Sequence, residues 1–567
     1  MNKLTHTLLL LLVCIPVKSQ TPLFIPDTLV GPNFDLTVAR STFTFSNGNT
    51  SRTMGVNGDI LAPTLIFNKG DSVFIDLHNN LDEATTMHWH GMHVSPENDG
   101  GPHSIIPAGT TWSPSFGVLD NATTFWYHPH LHELTTEHVT YGVAGVIIVR
   151  DEVEAALDLP RTYGVDDIPL IVQDRTFRPN GDIDIVPLGD DVMVNAVFDA
   201  YAEVPAQMVR LRLLNGSVER VYNFGFSDNR NFYQIGSDGG LLEAPVQMNR
   251  VLIATGERAE ILVDLSGDNG STIDLMSFAS EIEANIPGAE MGPGGANNPL
   301  NGEDFEILEL RIGPPTANAV SGVPESLVTL NPYDEVDVDV VRQKEFTGGG
   351  PGNPFTIDDT IFDMSVINDT VYLDNTEIWE ITNTTNVAHP FHIHDVQFYI
   401  LDRNGEDPPA NERGLKDVVL IRPDETVRFI TKFEDFYDNE IPYMYHCHIL
   451  VHEDGGMMGQ FLVLNNVETS SEKEPMVDVP TTTRIVGSYP NPFNPSTNIR
   501  YHVDKPSEIE LMVYNMKGQI VQQLYAGYQN RGTYVLSWDA SQFASGIYFV
   551  RLVSGRTMST IKVALVK

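Results

Sequence analysis

Val73-Phe74-Ile75-Asp76-Leu77-His78-Asn79 is a short alternating run that ends on an asparagine, and the pattern returns twice. The later copies are Val209-Arg210-Leu211-Arg212-Leu213-Leu214-Asn215 and Glu377-Ile378-Trp379-Glu380-Ile381-Thr382-Asn383. In all three, apolar residues stand two and four before the asparagine, the period of a strand with one buried face. Copies well over a hundred residues apart suit three similar β-sandwiches rather than a short-period solenoid. Residues 287–302 and 347–354 are rich in Gly, Pro and Asn and are expected to be loops. A polar stretch, 467–483, precedes a last region with strand-like runs at 497–503, 508–514 and 546–552 and a turn at Met516-Lys517-Gly518-Gln519. That region is expected to be a fourth, smaller β-sandwich. The chain's 567 residues fit about four domains at ~150 residues each. No long amphipathic helical pattern competes with an all-β fold.

The ends and the charge narrow the class. Lys3, an apolar run over residues 8–15 and Val17-Lys18-Ser19 have the form of an export signal with its cleavage site. Val13 before Cys14 does not suit a lipid-attachment site, and no later stretch has the length and apolarity of a membrane span. With 34 Lys+Arg against 76 Asp+Glu, the net charge of −42 excludes nucleic acid and anionic membranes as partners and favours cations. Of two cysteines, Cys14 leaves with the signal, so the exported chain carries one thiol, Cys447, and no intramolecular disulfide. An exported lone thiol needs an occupant.

Four histidine clusters supply one: His88-Trp89-His90, His128-Pro129-His130, His389-Pro390-Phe391-His392-Ile393-His394 and His446-Cys447-His448. Residues two apart in a strand share a face, so each His-x-His presents two imidazoles to one site. Four pairs give eight nitrogens, too many for one ion and suited to three. Parity separates a second site. Cys447 points away from His446 and His448, and His389, three before His392, points away from the His392–His394 pair. His452 and Met457 follow Cys447 at five and ten residues. Two histidines, a thiolate and a weak axial thioether are the blue-copper donor set, suited to one-electron transfer. The His-Cys-His tripeptide then joins an electron-accepting copper to a three-copper cluster, and four coppers match the four electrons that take O₂ to water.

On these motifs, with Asn98-Asp99-Gly100-Gly101-Pro102, Trp126-Tyr127-His128-Pro129-His130 and Tyr163-Gly164-Val165-Asp166-Asp167-Ile168-Pro169-Leu170, the chain resembles bacterial three-domain multicopper oxidases of the laccase and copper-efflux type. The resemblance implies three cupredoxin-like β-sandwiches at residues 20–165, 166–315 and 316–466, after a signal peptide at 1–19. It implies a type 2 copper on His88 and His392, and a type 3 pair on His90, His128, His448 and on His130, His394, His446. A type 1 copper would take His389, Cys447, His452 and Met457. Asp99 near the type 2 position and Glu453 near the type 3 pair would relay protons. His93, His103, His132 and His138 are left as outer or surface residues.

After the linker at 467–483, residues 484–567 are expected to form an immunoglobulin-like β-sandwich. Its Tyr489-Pro490-Asn491-Pro492-Phe493-Asn494-Pro495-Ser496-Thr497, Ser545-Gly546-Ile547-Tyr548 and Lys562 are similar to type IX secretion sorting domains. That similarity implies export through the periplasm of a Bacteroidetes-like, Gram-negative cell by the type IX machinery, to the surface or medium.

A two-domain copper nitrite reductase would lack the eight-histidine set, and a cupredoxin scaffold without activity would have shed ligands. The expected activity is one-electron oxidation of phenols and aromatic amines coupled to O₂ reduction, by a monomer. A cuprous or other metal-ion oxidase is the alternative. Copper-efflux relatives carry Asp and Met four and two residues before the first type 1 histidine. Thr385 and Val387 stand there, and residues 283–301 hold only Met291.

Overall fold

The three asparagines that end the repeated runs do the same work in three places. Asn79 Nδ2 donates to the carbonyls of Glu83 (2.9 Å) and Ile106 (2.8 Å), while its Oδ1 accepts from Leu81 N (2.9 Å). Asn215 Nδ2 donates to Arg220 O (2.7 Å) and Ile253 O (2.9 Å), and Oδ1 accepts from Ser217 N (3.1 Å). Asn383 repeats this with Val387 O (2.8 Å), Ile421 O (3.1 Å) and Thr385 N (2.9 Å). Each buried side chain ties a strand end to the turn after it and to a distant segment, satisfying backbone groups no ladder reaches. Each of the three strands also runs parallel to an earlier one, with Val38, Val172 and Phe346 opposite the respective asparagines.

The computed structural model describes residues 20–290, 298–350 and 352–465, and, in the tail, 483–489, 491, 493–503, 505–529, 532–555 and 557–567. The expected signal peptide, almost all of the expected linker, and Met291 lie outside the described residues. The architecture is all-β, with a few short helices. Residues 20–465 hold three successive apolar cores. The first centres on Leu36, Leu77 and Trp89, the second on Leu211, Phe224 and Ile261, and the third on Trp379, Phe391 and Phe461.

In the first sandwich, β1 (His88–His90) is an edge strand beside β2 (Thr124–His128), followed by Gly145–Arg150, Thr64–Asn68 and Thr28–Val30. Helix α1 (Thr135–Thr140) follows β2. The middle sandwich includes β3 (Arg258–Asp264), antiparallel to Met208–Asn215. In the third, β4 (His389–Ile393) lies between β5 (Val418–Ile421) and β6 (Tyr443–Cys447); β7 (Met458–Leu464) pairs with β6. Helix α2 (Leu450–Asp454) leaves the end of β6.

One loop is shorter than its composition implies. Strand Val340–Gly348 runs on through Thr347 and Gly348, because Phe346, Thr347 and Gly348 pair with Ile357, Thr356 and Phe355. The two threonine hydroxyls meet at 2.8 Å across that pair. The hairpin sets Phe355 beside His389 and His452.

The tail, a separate compact unit, has a three-stranded and a four-stranded sheet around Ile499, Leu511, Trp538 and Val550. Asn491 is its clamp: Nδ2 donates to Lys562 O (3.0 Å) and Oδ1 accepts from Ala564 N (2.8 Å). Among the described residues no helix is long and apolar enough to cross a membrane.

Candidate metal centre

Strand register sets the histidines side by side. His88 lies opposite His128 across β1 and β2, and His392 opposite His446 across β4 and β6. The two histidine sets then meet ring on ring: His88 stacks on His394 (3.9 Å between centroids) and His90 on His392 (3.8 Å). Three buried nests result, each with donor atoms within 4.8 Å of one another: His88, His392 and His394; His90, His128 and His448; His130, His394 and His446. His394 belongs to two of them.

The backs of these rings are held. Nδ1 of His88 donates to Asp99 O (2.9 Å), that of His128 to Pro129 O (2.8 Å), that of His392 to Asp417 O (2.8 Å), and that of His446 to Cys447 O (3.1 Å). His394 Nδ1 donates to Asp99 Oδ2 (2.8 Å). With the proton fixed on Nδ1, each Nε2 carries a lone pair that faces inward. Nε2 of His88, His90, His128, His392 and His448 is buried without a hydrogen-bond partner. His130 Nε2 faces His446 Nε2 at 3.1 Å, and His394 Nε2 faces the same atom at 3.4 Å. Burial and the neighbouring rings also hold His90, His128, His130, His392 and His446 neutral, and His394 is pushed down to about 4 and His448 to about 3. Neutral, orphaned and convergent nitrogens are what a copper cluster requires.

Asp99 and Glu453 are two of the carboxylates behind the nests, Asp417 being a third. Asp99 touches both His88 and His394; burial opposes its charge, but those two histidines outweigh burial and hold it well below the usual carboxylate range. Glu453, on α2, lies 3.2 Å from His130 Nδ1 and 3.3 Å from His446 Nδ1, and burial pushes its carboxyl well up.

On the other face of β6, Cys447 Sγ lies 3.5 Å from His389 Nδ1 and 3.7 Å from His452 Nδ1. Met457 is buried in the same core, and its carbonyl accepts from Cys447 N (3.1 Å). Thr385 Oγ1 accepts from His389 Nε2 (2.9 Å), which leaves Nδ1 free for a metal. The Phe355 ring packs on His389 (4.7 Å) and His452 (4.5 Å). His452 is partly exposed and the other donors are buried.

The four histidines set aside in the sequence lie elsewhere. His93 pairs with Asp395 and Asp435, His103 meets Gln460, His132 packs on Phe362, and His138 lies by Glu83 and Thr85. Sequence reasoning missed Asp417, Arg258 and Gly256, which border the nests and stand in no motif with the histidines. It also missed Phe355, whose place depends on the hairpin.

A cysteine-and-histidine site on one strand face, backed by three histidine nests on the other, defines a class of copper-dependent oxidase. Two models described as multicopper oxidase match residues 37–154 and 335–467, and one described as a secretion system C-terminal sorting domain matches 488–567. "Multicopper oxidase mco" of Staphylococcus haemolyticus is 35% identical over 444 residues, 76% of this chain and 89% of that protein. The laccase-like multicopper oxidase CueO of Ochrobactrum sp., a solved structure, is 33% identical, with a TM-score of 0.70 over 78% of this chain and 100% of that one. "Cell division protein FtsP" of Xenorhabdus nematophila is 33% identical over 463 residues, 79% of this chain and 92% of that protein. The chain belongs to the multicopper oxidase family, and is an oxidoreductase that uses O₂, with a secretion sorting domain at its C-terminus.

Proposed function

We propose that this oxidase takes electrons from phenols and aromatic amines at a type 1 copper held by His389, Cys447, His452 and Met457. The observation that carries the substrate class is the rim of that site. His452 is its partly exposed donor, Phe355 packs on it, and the exposed Ile361 follows on the next segment. Ile361 lies directly over Gly456, the neighbour of Met457. An apolar rim suits the flat face of a neutral aromatic donor. The thioethers of Met364, Met444 and Met458 pack in a cluster apart from the type 1 core. A second reading, oxidation of Cu(I) or another metal ion, draws on the exposed Asp358, Asp359 and Asp363 of the same segment.

In this proposal His88 and His392 hold a type 2 copper, and His90, His128 and His448 with His130, His394 and His446 hold a type 3 pair. Bound there, the four coppers supply one-electron oxidation at the thiolate and four-electron reduction of O₂ to water at the cluster. The chain's own contribution is orientation and protons. Asp99 fixes His88 and His394, Glu453 stands behind His130 and His446, and both carboxyls are placed to pass protons inward. Complete donor sets distinguish this reading from a cupredoxin scaffold without activity. The cupredoxin units are assigned to residues 20–165, 166–315 and 316–466, and the sorting domain to type IX export of a monomer through the periplasm. The deciding measurement is kcat/KM for Cu(I) against a methoxyphenol at one pH and salt. A preference for Cu(I) above about tenfold, roughly 1.4 kcal/mol of transition-state discrimination, would overturn the phenol reading.

A further inference from the structure

The middle sandwich supplies none of the donors in the three nests, yet one of its loops lies against them. Residues 254–258 run from the end of Val251–Ile253 into β3. Thr255 Oγ1 donates to His448 O (2.7 Å), and a Cβ on Gly256 would stand 2.9 Å from the His448 ring. Gly256 has φ +82°, so both its conformation and the ring beside it call for glycine.

Arg258, at the start of β3, is fully buried, and all five of its N–H groups are used. Nη1 and Nη2 grip the Asp417 carboxylate (2.7 and 2.6 Å). The remaining three donate to Gly256 O (3.0 Å), Asp238 O (2.9 Å) and Thr124 O (3.1 Å). No proton is left over for His90 Nδ1, although Nη1 lies 3.4 Å from it. Nη1 thus stands between the His90 ring and the Asp417 oxygen it binds, Oδ1. That oxygen lies 3.6 Å from His90 Nδ1 and 3.7 Å from His392 Nδ1, while the Asp417 carbonyl accepts from His392. Gly91 completes the fit, since a Cβ there would strike Asp417 Oδ2 at 2.1 Å.

We propose that Arg258 is a positioning residue for the histidine cluster: by holding Asp417 between His90 and His392 it fixes where the two rings stand, and so lets the middle sandwich set the cluster's affinity for copper. A buried, bidentate arginine holds a carboxylate in one orientation, which a lysine's point charge does not. The inference rests on the proposed cluster, and its test separates the two.

The full-length holoenzyme, Arg258→Met, Arg258→Lys and Asp417→Asn are titrated with a copper chelator, following copper per chain and the blue absorption of the cysteine site. Wild-type protein with four coppers and a blue band upholds the cluster; without them the proposed function fails, whatever the variants do. Given that, Arg258→Met should release three coppers at about 10–100-fold lower chelator concentration while the blue band persists, the range for outer partners of metal ligands. Arg258→Lys and Asp417→Asn should fall between it and the wild type. Wild-type chelator resistance in Arg258→Met would overturn the inference, and so would parallel loss of blue band and cluster copper. Should Arg258→Met fail to fold, Arg258→Lys and Asp417→Asn decide by the same criterion.

Discussion

Replacing Asn215 by alanine tests whether the repeated asparagine is a structural clamp. The substitution removes two donors, from Arg220 O and Ile253 O, and one acceptor, from Ser217 N. All three are buried, two in the turn that follows Asn215 and one at the end of the distant strand Val251–Ile253, and an unsatisfied buried group costs about 1–3 kcal/mol. A total of about 3–5 kcal/mol follows, since carbonyls with a second lone pair are not wholly orphaned. At about 2–4 °C per kcal/mol for a sandwich of this size, the transition of the middle sandwich should fall by roughly 10 °C. Asn215→Asp should be worse, because it keeps the acceptor for Ser217 N but turns negative oxygen toward two carbonyls. Scanning calorimetry of metal-free protein reads the shift, with Asn180→Ala on an exposed turn as the control, expected within about 0.5 kcal/mol of wild type. The clamp also reaches the centre, because Ile253 precedes the loop that lies on His448. Copper retention should therefore weaken with stability. A shift below about 2 °C in Asn215→Ala would refute the reasoning.

Cys447→Ser should abolish the blue band and turnover with little change in the melting of metal-free protein; near-native turnover would contradict the type 1 assignment. His128→Ala should leave the blue band and its bleaching by a phenol intact in stopped flow, while O₂ consumption nearly stops. Metal-free protein should lose stability as pH falls from about 6.5 toward 4. Histidines such as His394 (about 4) and His448 (about 3) stay neutral when folded and take protons when unfolded, each with a slope of at most about 1.4 kcal/mol per pH unit. A melting temperature flat across that range counts against buried neutral imidazoles. A chain ending at Asn465 should bind full copper and stay inside its native host; normal export would remove the sorting role of the tail.

How much of this was legible in the sequence depends on the range of each interaction. The asparagine clamp shows because it is local on one side: Oδ1 accepts from the amide two residues on, so the strand, the asparagine and the turn recur together. The split of donors between two sites shows because strand parity is local too. Cys447 and its flanking histidines must face opposite ways on β6 whatever surrounds them. Pairings across sandwiches leave no such trace. Arg258 and Asp417 stand far apart in the chain, and each alone looks like a charged residue at a strand start. What joins them is the packing of one sandwich on another, which brings the starts of β3 and β5 to the same histidines. The same holds for Phe355, hidden in a stretch whose Gly and Pro content suggests a loop until its partners across the hairpin are known. The donors of the centre are therefore written in short motifs, while the groups that orient them are written in the topology. A relative with every histidine in place could bind copper differently if the Arg258–Asp417 clamp were gone. The orienting residues, compared position by position, carry the discriminating information.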